Sequence, residues 1–216
     1  TAGFSIVQYT GTGSNATVGH GLSSAPEWIL FKNLDNNSEG WSTYHKSLTS
    51  AAYIVTLNNS NAEASSATDF NSTAPTSSVF SVGTNARTNN GSQNIVAYCW
   101  HSVDGFSKFG KYTGNNQATD NAFVYLGFKP AFLMIKNTGS GAWTIFDNQR
   151  VKFNPNNAVL FGNLTNVERV NTEICDFLSN GFKIRDNDTN IGASATYIYM
   201  AFAEHPFVGD GTSPVT

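Results

Sequence analysis

Four histidines, His20, His45, His101 and His205, and fifteen carboxylates are what this 216-residue sequence offers for proton transfer or metal ligation. A catalytic or metal-binding histidine would have to converge with such groups, and no G-x-S-x-G elbow or H-E-x-x-H pair arranges it locally. The glutamates are Glu27, Glu39, Glu63, Glu168, Glu173 and Glu204. A pair for glycoside hydrolysis can be built from residues distant in sequence. The acids nearest the aromatic side chains Trp41 and Trp143 are Asp35 and Glu39 on one side and Asp147 on the other. Trp41 and Trp143 each follow a Gly/Ser-rich turn. An exposed indole would stack on a sugar ring. A tryptophan repeated within a β unit reads more simply as a core plug, so both are expected to be mostly buried.

Asp186-Asn187-Asp188-Thr189-Asn190 starts like a calcium loop, with oxygens from Asp186, Asp188 and Asn190 at alternate positions. Ile191 stands where that loop needs glycine, and no glutamate closes it. A hairpin turn between strands 181–185 and 196–203 is therefore expected there, with no metal and no cofactor. Cys99 and Cys175 lie among apolar neighbours and read as buried thiols, with a bridge between them left open. The sequons at Asn15, Asn71 and Asn163 are what an asparagine-rich chain yields by chance.

Whatever these residues do, a β scaffold must position them. Asparagine occurs 26 times, beside abundant Ser, Thr and Gly, while charged residues make up only 12 %. Turn-forming residues alternate with Val, Ile, Thr, Tyr and Phe, which suit a pleated, half-buried surface. Aromatic residues, at 13 %, are spread throughout, so the chain should fold rather than remain disordered. A net charge of −3 without a basic run argues against nucleic acid as a partner. No apolar stretch nears the roughly 18 residues that span a bilayer, so membrane insertion is not expected. No leader pattern opens the chain at Thr1, an abrupt start expected of a fragment or processed product.

The sequence also repeats itself. Gly3-Phe4-Ser5 recurs as Gly105-Phe106-Ser107, and Tyr9-Thr10-Gly11 as Tyr112-Thr113-Gly114. Trp28-Ile29-Leu30-Phe31-Lys32-Asn33 matches Phe132-Leu133-Met134-Ile135-Lys136-Asn137. Trp41 aligns with Trp143, Asn61-x-Glu63 with Asn166-x-Glu168, Asp69-Phe70 with Asp176-Phe177, and Ile95 to Trp100 with Tyr197 to Phe202. The matches are colinear, which points to duplication. The aligned histidines are not shared: His45 faces Asp147 and His101 faces Ala203.

Each copy predicts seven short strands. They are 4–9, 15–18, 27–33, 42–46, 53–57, 78–82 and 94–101, then 106–112, 122–126, 131–137, 143–147, 158–162, 181–185 and 196–203. The stretches 62–70 and 167–177 predict one or two helical turns. The expected fold is all-β, with two tandem, mutually similar β-sandwich units of jelly-roll or lectin-like kind. The first spans 1–103, the second 104–208, and a C-terminal tail 209–216.

The unit built on Gly127-Phe128-Lys129-Pro130, Ile135-Lys136-Asn137, Asp176-Phe177-Leu178-Ser179-Asn180-Gly181-Phe182-Lys183 and Thr196 to Phe202 resembles a bacteriophage family. That family occurs in tail-fibre and other virion structural proteins, common in marine and cyanobacterial phages. Copy one departs more, with an insertion at Gly21 to Pro26 and Thr73 to Ser78 in place of the Ser-Asn-Gly turn. The resemblance spans about 3 to 208 and brings no catalytic residues. It implies a virion-surface or extracellular location, other virion proteins as partners, a host glycan or receptor as a target, and a homo-oligomer. The expected role is a non-enzymatic tail-fibre or receptor-binding component. The alternatives are a head decoration protein and a carbohydrate-binding module of a secreted protein, with a glycan depolymerase behind them.

Overall fold

Strands and turns account for almost the whole fold. The computed structural model describes residues 3–205, and 44 % of the chain is strand against 4 % helix. It divides into two compact units, one ending at His101 and the other starting at Ser102. The expected tail at 209–216 lies outside the described residues.

The first unit contains β1 (Phe4–Thr10), β2 (Ala16–Gly19), β3 (Trp28–Asn33), β4 (Ser42–His45), β5 (Tyr53–Thr56) and β6 (Ala64–Ser65). These are followed by α1 (Ala67–Phe70), β7 (Val79–Val82), α2 (Ala86–Asn89) and β8 (Asn94–Trp100). One antiparallel sheet runs β1-β8-β3-β4-β5-β6, and β2 pairs with β7 in a second. Period-two alternation sends Ile95, Ala97 and Cys99 of β8 into a core with Ile29, Phe31, Phe70 and Phe80. Phe31 sits between Phe70 and Phe80 at ring distances of 5.4 and 5.3 Å.

The second unit contains β9 (Ser107–Thr113), β10 (Phe123–Tyr125), β11 (Pro130–Asn137), β12 (Trp143–Asp147), β13 (Asn156–Phe161), β14 (Arg169–Leu178), β15 (Gly181–Ile184) and β16 (Thr196–Ala203). They form one sheet in the order β10-β15-β14-β13-β12-β11-β16-β9. A single core, including Tyr112, Leu133, Phe146, Val159, Phe177, Phe182 and Tyr197, draws on every one of these strands. The sheet thus folds over on itself, sandwich-like and nearly closed into a barrel.

Two sequence expectations need correction. The stretch 167–177 forms a ten-residue strand rather than helical turns. Glu173, Cys175 and Phe177 alternate inward, and the acidic first member of that period-two set masks it in the sequence. Its counterpart does make the expected helical turn, at α1. Nor is 185–195 a hairpin. β15 pairs with β14 and β10, while β16 pairs with β11 and β9. Both edges of β15 are taken, so the segment must carry the chain across to another part of the sheet.

Candidate functional site

The repeated motif residues turn out to be ties between elements. In the first unit the Tyr9 hydroxyl donates to the carbonyl of Thr88, and Asn33 Nδ2 donates to that of Ala86 at 2.8 Å. In the second, Tyr112 donates to Ile191 at 2.7 Å and Asn137 to Thr189 at 2.7 Å. Lys32 Nζ donates to the carbonyls of Asn33, Asn36 and Glu39, and Lys136 Nζ to those of Asn137 and Gly139. Each lysine therefore holds the loop that follows its own strand. The backbone N–H of Trp41 donates to Asn58 Oδ1, and that of Trp143 to Asn163 Oδ1, both at 2.9 Å.

The tryptophans themselves do not plug the cores. Thr144 and Phe146 face inward on β12, which turns Trp143 to the opposite face beside Lys136. Trp143 is fully buried there, whereas Trp41 is half-buried. The Trp41 ring lies nearly parallel to Tyr98, Tyr98 to Trp100, and Trp100 to Phe4. Rings stacked on one another offer a sugar few free faces.

The carboxylates are held in structural contacts. Ion pairs join Glu27 to Lys46, Asp69 to Arg87, Asp120 to Lys183, Glu173 to Arg169 and Asp176 to Arg185. Arg150 joins Asp147 and Glu168. Burial pushes the Asp147 carboxyl upward, but hydrogen bonds from Arg150 and Gln149 outweigh it and hold the group below the usual carboxylate range. Asp35 accepts from the Asn94 amide at 2.7 Å, and Glu63 accepts from Thr49. The Glu39 carbonyl serves the Lys32 loop.

In 186–190 the oxygens expected for a metal face backbone donors instead. Asp186 Oδ1 accepts from Asp188 N at 2.8 Å, and Asp188 Oδ1 from Asn190 N at 2.7 Å. Asn190 Oδ1 accepts from Ala142 N at 2.8 Å. No group of three or more His, Cys, Asp or Glu side chains among the described residues could hold a metal ion. His20 is buried, with Nδ1 accepting from Leu22 N. His45 lies edge-on to Trp28, its Nδ1 accepting from Ser47 N. Cys99 and Cys175 are buried free thiols.

A cavity of about 170 Å³ lies elsewhere, where the 148–155 loop meets β11 and β14 of the second unit. Asp147 starts the loop by accepting from Gln149 N and Arg150 N. Asn154 ends it by exchanging two hydrogen bonds with the Phe177 backbone, at 2.9 and 2.8 Å. Lys129, Asn148, Lys152, Phe153, Asn156 and Phe177 line the space. Lys129 pairs with Glu204 at 2.8 Å, and Glu204 also accepts from Asn148 Nδ2. The Lys129 hydrogen bond is the main reason the Glu204 carboxyl sits below its ordinary pKa.

Lys152 has no ion-pair partner among the described residues. Phe153 is 83 % exposed, while Asn156 is 1 % exposed. Asn156 Nδ2 donates to Asp147 O at 2.8 Å, but its Oδ1 has no donor among the described residues. Sequence reasoning did not single out these residues. The available signal was Phe153 beside Asn154-Pro155, a large aromatic residue inside a turn rather than a strand.

A family model for a domain of unknown function, DUF7483, matches residues 1–206. The chain belongs to DUF7483. The match covers both units, so the DUF7483 domain comprises the pair and not a single sheet. No curated protein and no solved structure matches the chain.

Proposed function

We propose that this chain is a non-enzymatic structural and binding component of a bacteriophage particle. In this reading it is a tail-fibre or receptor-binding part on the virion surface, built as two copies of one β-sandwich unit of jelly-roll or lectin-like kind. The observation that carries it is what the two units share. Strand order β1-β8-β3-β4-β5-β6 with β7-β2 corresponds step by step to β9-β16-β11-β12-β13-β14 with β15-β10. Registers correspond too: Trp28 pairs with Trp100 and His45 as Phe132 pairs with Phe202 and Asp147.

The shared side chains, Tyr9/Tyr112, Lys32/Lys136 and Asn33/Asn137, serve backbone carbonyls. What the copies hold in common is thus framework, and what differs is loop. A display scaffold needs that division, whereas a duplicated enzyme would keep its acid pair. The resemblance to phage virion domains supplies the biological setting. Uncharged amides and hydroxyls also make polar contacts that ionic strength screens little.

The test is antibody labelling of phage particles that carry the chain, together with product analysis after incubation with host surface glycans. Label on the fibres and no released oligosaccharide is the expected result. Label on the head shell would favour a decoration role. Oligosaccharide release abolished by Asp35→Ala or Glu39→Ala would overturn the non-enzymatic reading.

A further inference from the structure

The cavity under the 148–155 loop combines three features that seldom coincide by accident. The first is a buried acceptor without a donor, Asn156 Oδ1. Leaving such an atom unpaired costs about 1–3 kcal/mol, so native proteins bring a donor to it. The second is a large aromatic ring, Phe153, held at the surface beside the cavity rather than in the core. The third is a cation, Lys152, at the same rim. The neighbouring Lys129 is already neutralised by Glu204, so Lys152 supplies the uncompensated charge.

We propose that this cavity binds one pyranose residue bearing an anionic substituent, as in an acidic surface glycan. A ring hydroxyl donates to Asn156 Oδ1, the apolar C–H face of the sugar packs on Phe153, and the anionic group meets Lys152. Each role follows from the chemistry of the group. A carbonyl oxygen needs an O–H or N–H donor, an aromatic ring takes apolar surface, and an ammonium is a point charge suited to an anion. The small volume fits a single residue rather than an extended chain, since pockets for larger ligands run to roughly 300 Å³ and above.

The larger space nearby, about 470 Å³ and lined by Pro155, Ile174, Asp176 and Arg185, makes a poorer anion site. Its two charges are spent on each other at 3.2 Å. In the first unit, the alignment places Ala51 opposite Asn156 and Lys46 opposite Asn148. The site therefore belongs to the second unit. The inference rests on the receptor-binding reading for its biological setting, but its chemistry is tested on the isolated chain.

The experiment titrates the full chain, by ligand-observed and protein-observed NMR, with glucuronic acid, N-acetylneuraminic acid, glucose, galactose and inorganic phosphate. Acidic sugars should bind most tightly. Lys152→Ala and Phe153→Ala should each weaken them about tenfold or more. Both side chains are exposed, so neither substitution should shift the melting temperature. Absence of binding by every sugar would overturn the proposal and leave Asn156 Oδ1 to a trapped water. Binding that survives both substitutions would overturn it as well. So would equal displacement by phosphate with Phe153→Ala inert, which describes a bare anion site. Particle labelling addresses the virion reading alone, so either can fail without the other.

Discussion

The hydroxyl of Tyr112 donates to the carbonyl of Ile191 at 2.7 Å, across 79 residues of sequence. The same interval separates Tyr9 from Thr88, whose carbonyl accepts from Tyr9. Removing the Tyr112 hydroxyl leaves a buried carbonyl without its donor. Tyr112→Phe is expected to cost about 1–3 kcal/mol in chemical denaturation, and Tyr9→Phe a similar amount. A loss below half a kcal/mol in both would show that these contacts are not the ties described above.

Just beyond each tyrosine, Gly11 and Gly114 press against the loop that the tyrosine holds. A Cβ at Gly11 would stand 2.1 Å from the Asn90 carbonyl oxygen, and one at Gly114 2.3 Å from that of Ala193. Backbone cannot swing aside as a flexible side chain can, so Gly11→Ala and Gly114→Ala should each destabilise by several kcal/mol (about 1–3 from overpacking alone). Thermal melts check this. Loss of folding in one unit with no effect of the matching change in the other would break the proposed equivalence of the copies.

Lys136 carries a pH signature. Burial pulls its amine from 10.5 down to about 8. Between those values the unfolded chain binds a proton that the folded chain has released, so stability should rise with pH across that window. The slope is about 1.4 kcal/mol per pH unit at most. Cys99, pushed up to about 12 by burial, acts oppositely: its contribution is present below pH 9 and lost as pH rises toward 12. Comparing urea midpoints of the native chain and Lys136→Met from pH 7 to 10.5 cancels the thiol and isolates the lysine. The native chain should gain on the variant as pH rises through the window. A constant difference would contradict the shift.

Strands were largely readable because period-two alternation and Asn/Gly/Ser punctuation act locally. Ile95, Ala97 and Cys99 state their inward face in the sequence itself. Glu173 does not, because its ion pair with Arg169 and its contact with Asn190 come from other elements. The face taken by Trp143 was likewise hidden: a tryptophan at a strand start fits either side, and only pairing with β11 decides it. The cavity was least legible. Asn156 lies on the predicted strand's border, and its unpaired oxygen is a property of what surrounds it. The duplication was legible as colinear motifs, and the hydrogen bonds those motifs make explain why their order and spacing recur.

In each unit the first and last strands lie side by side. Phe4 is opposite Trp100, and Ser107 is opposite Phe202. The chain thus leaves a unit beside the point where it came in, the arrangement that best tolerates circular permutation and insertion. A further copy could be spliced at such a junction without re-pairing any strand. Gene duplication would meet little mechanical resistance here, and the same geometry recommends the unit as a cassette for building longer arrays.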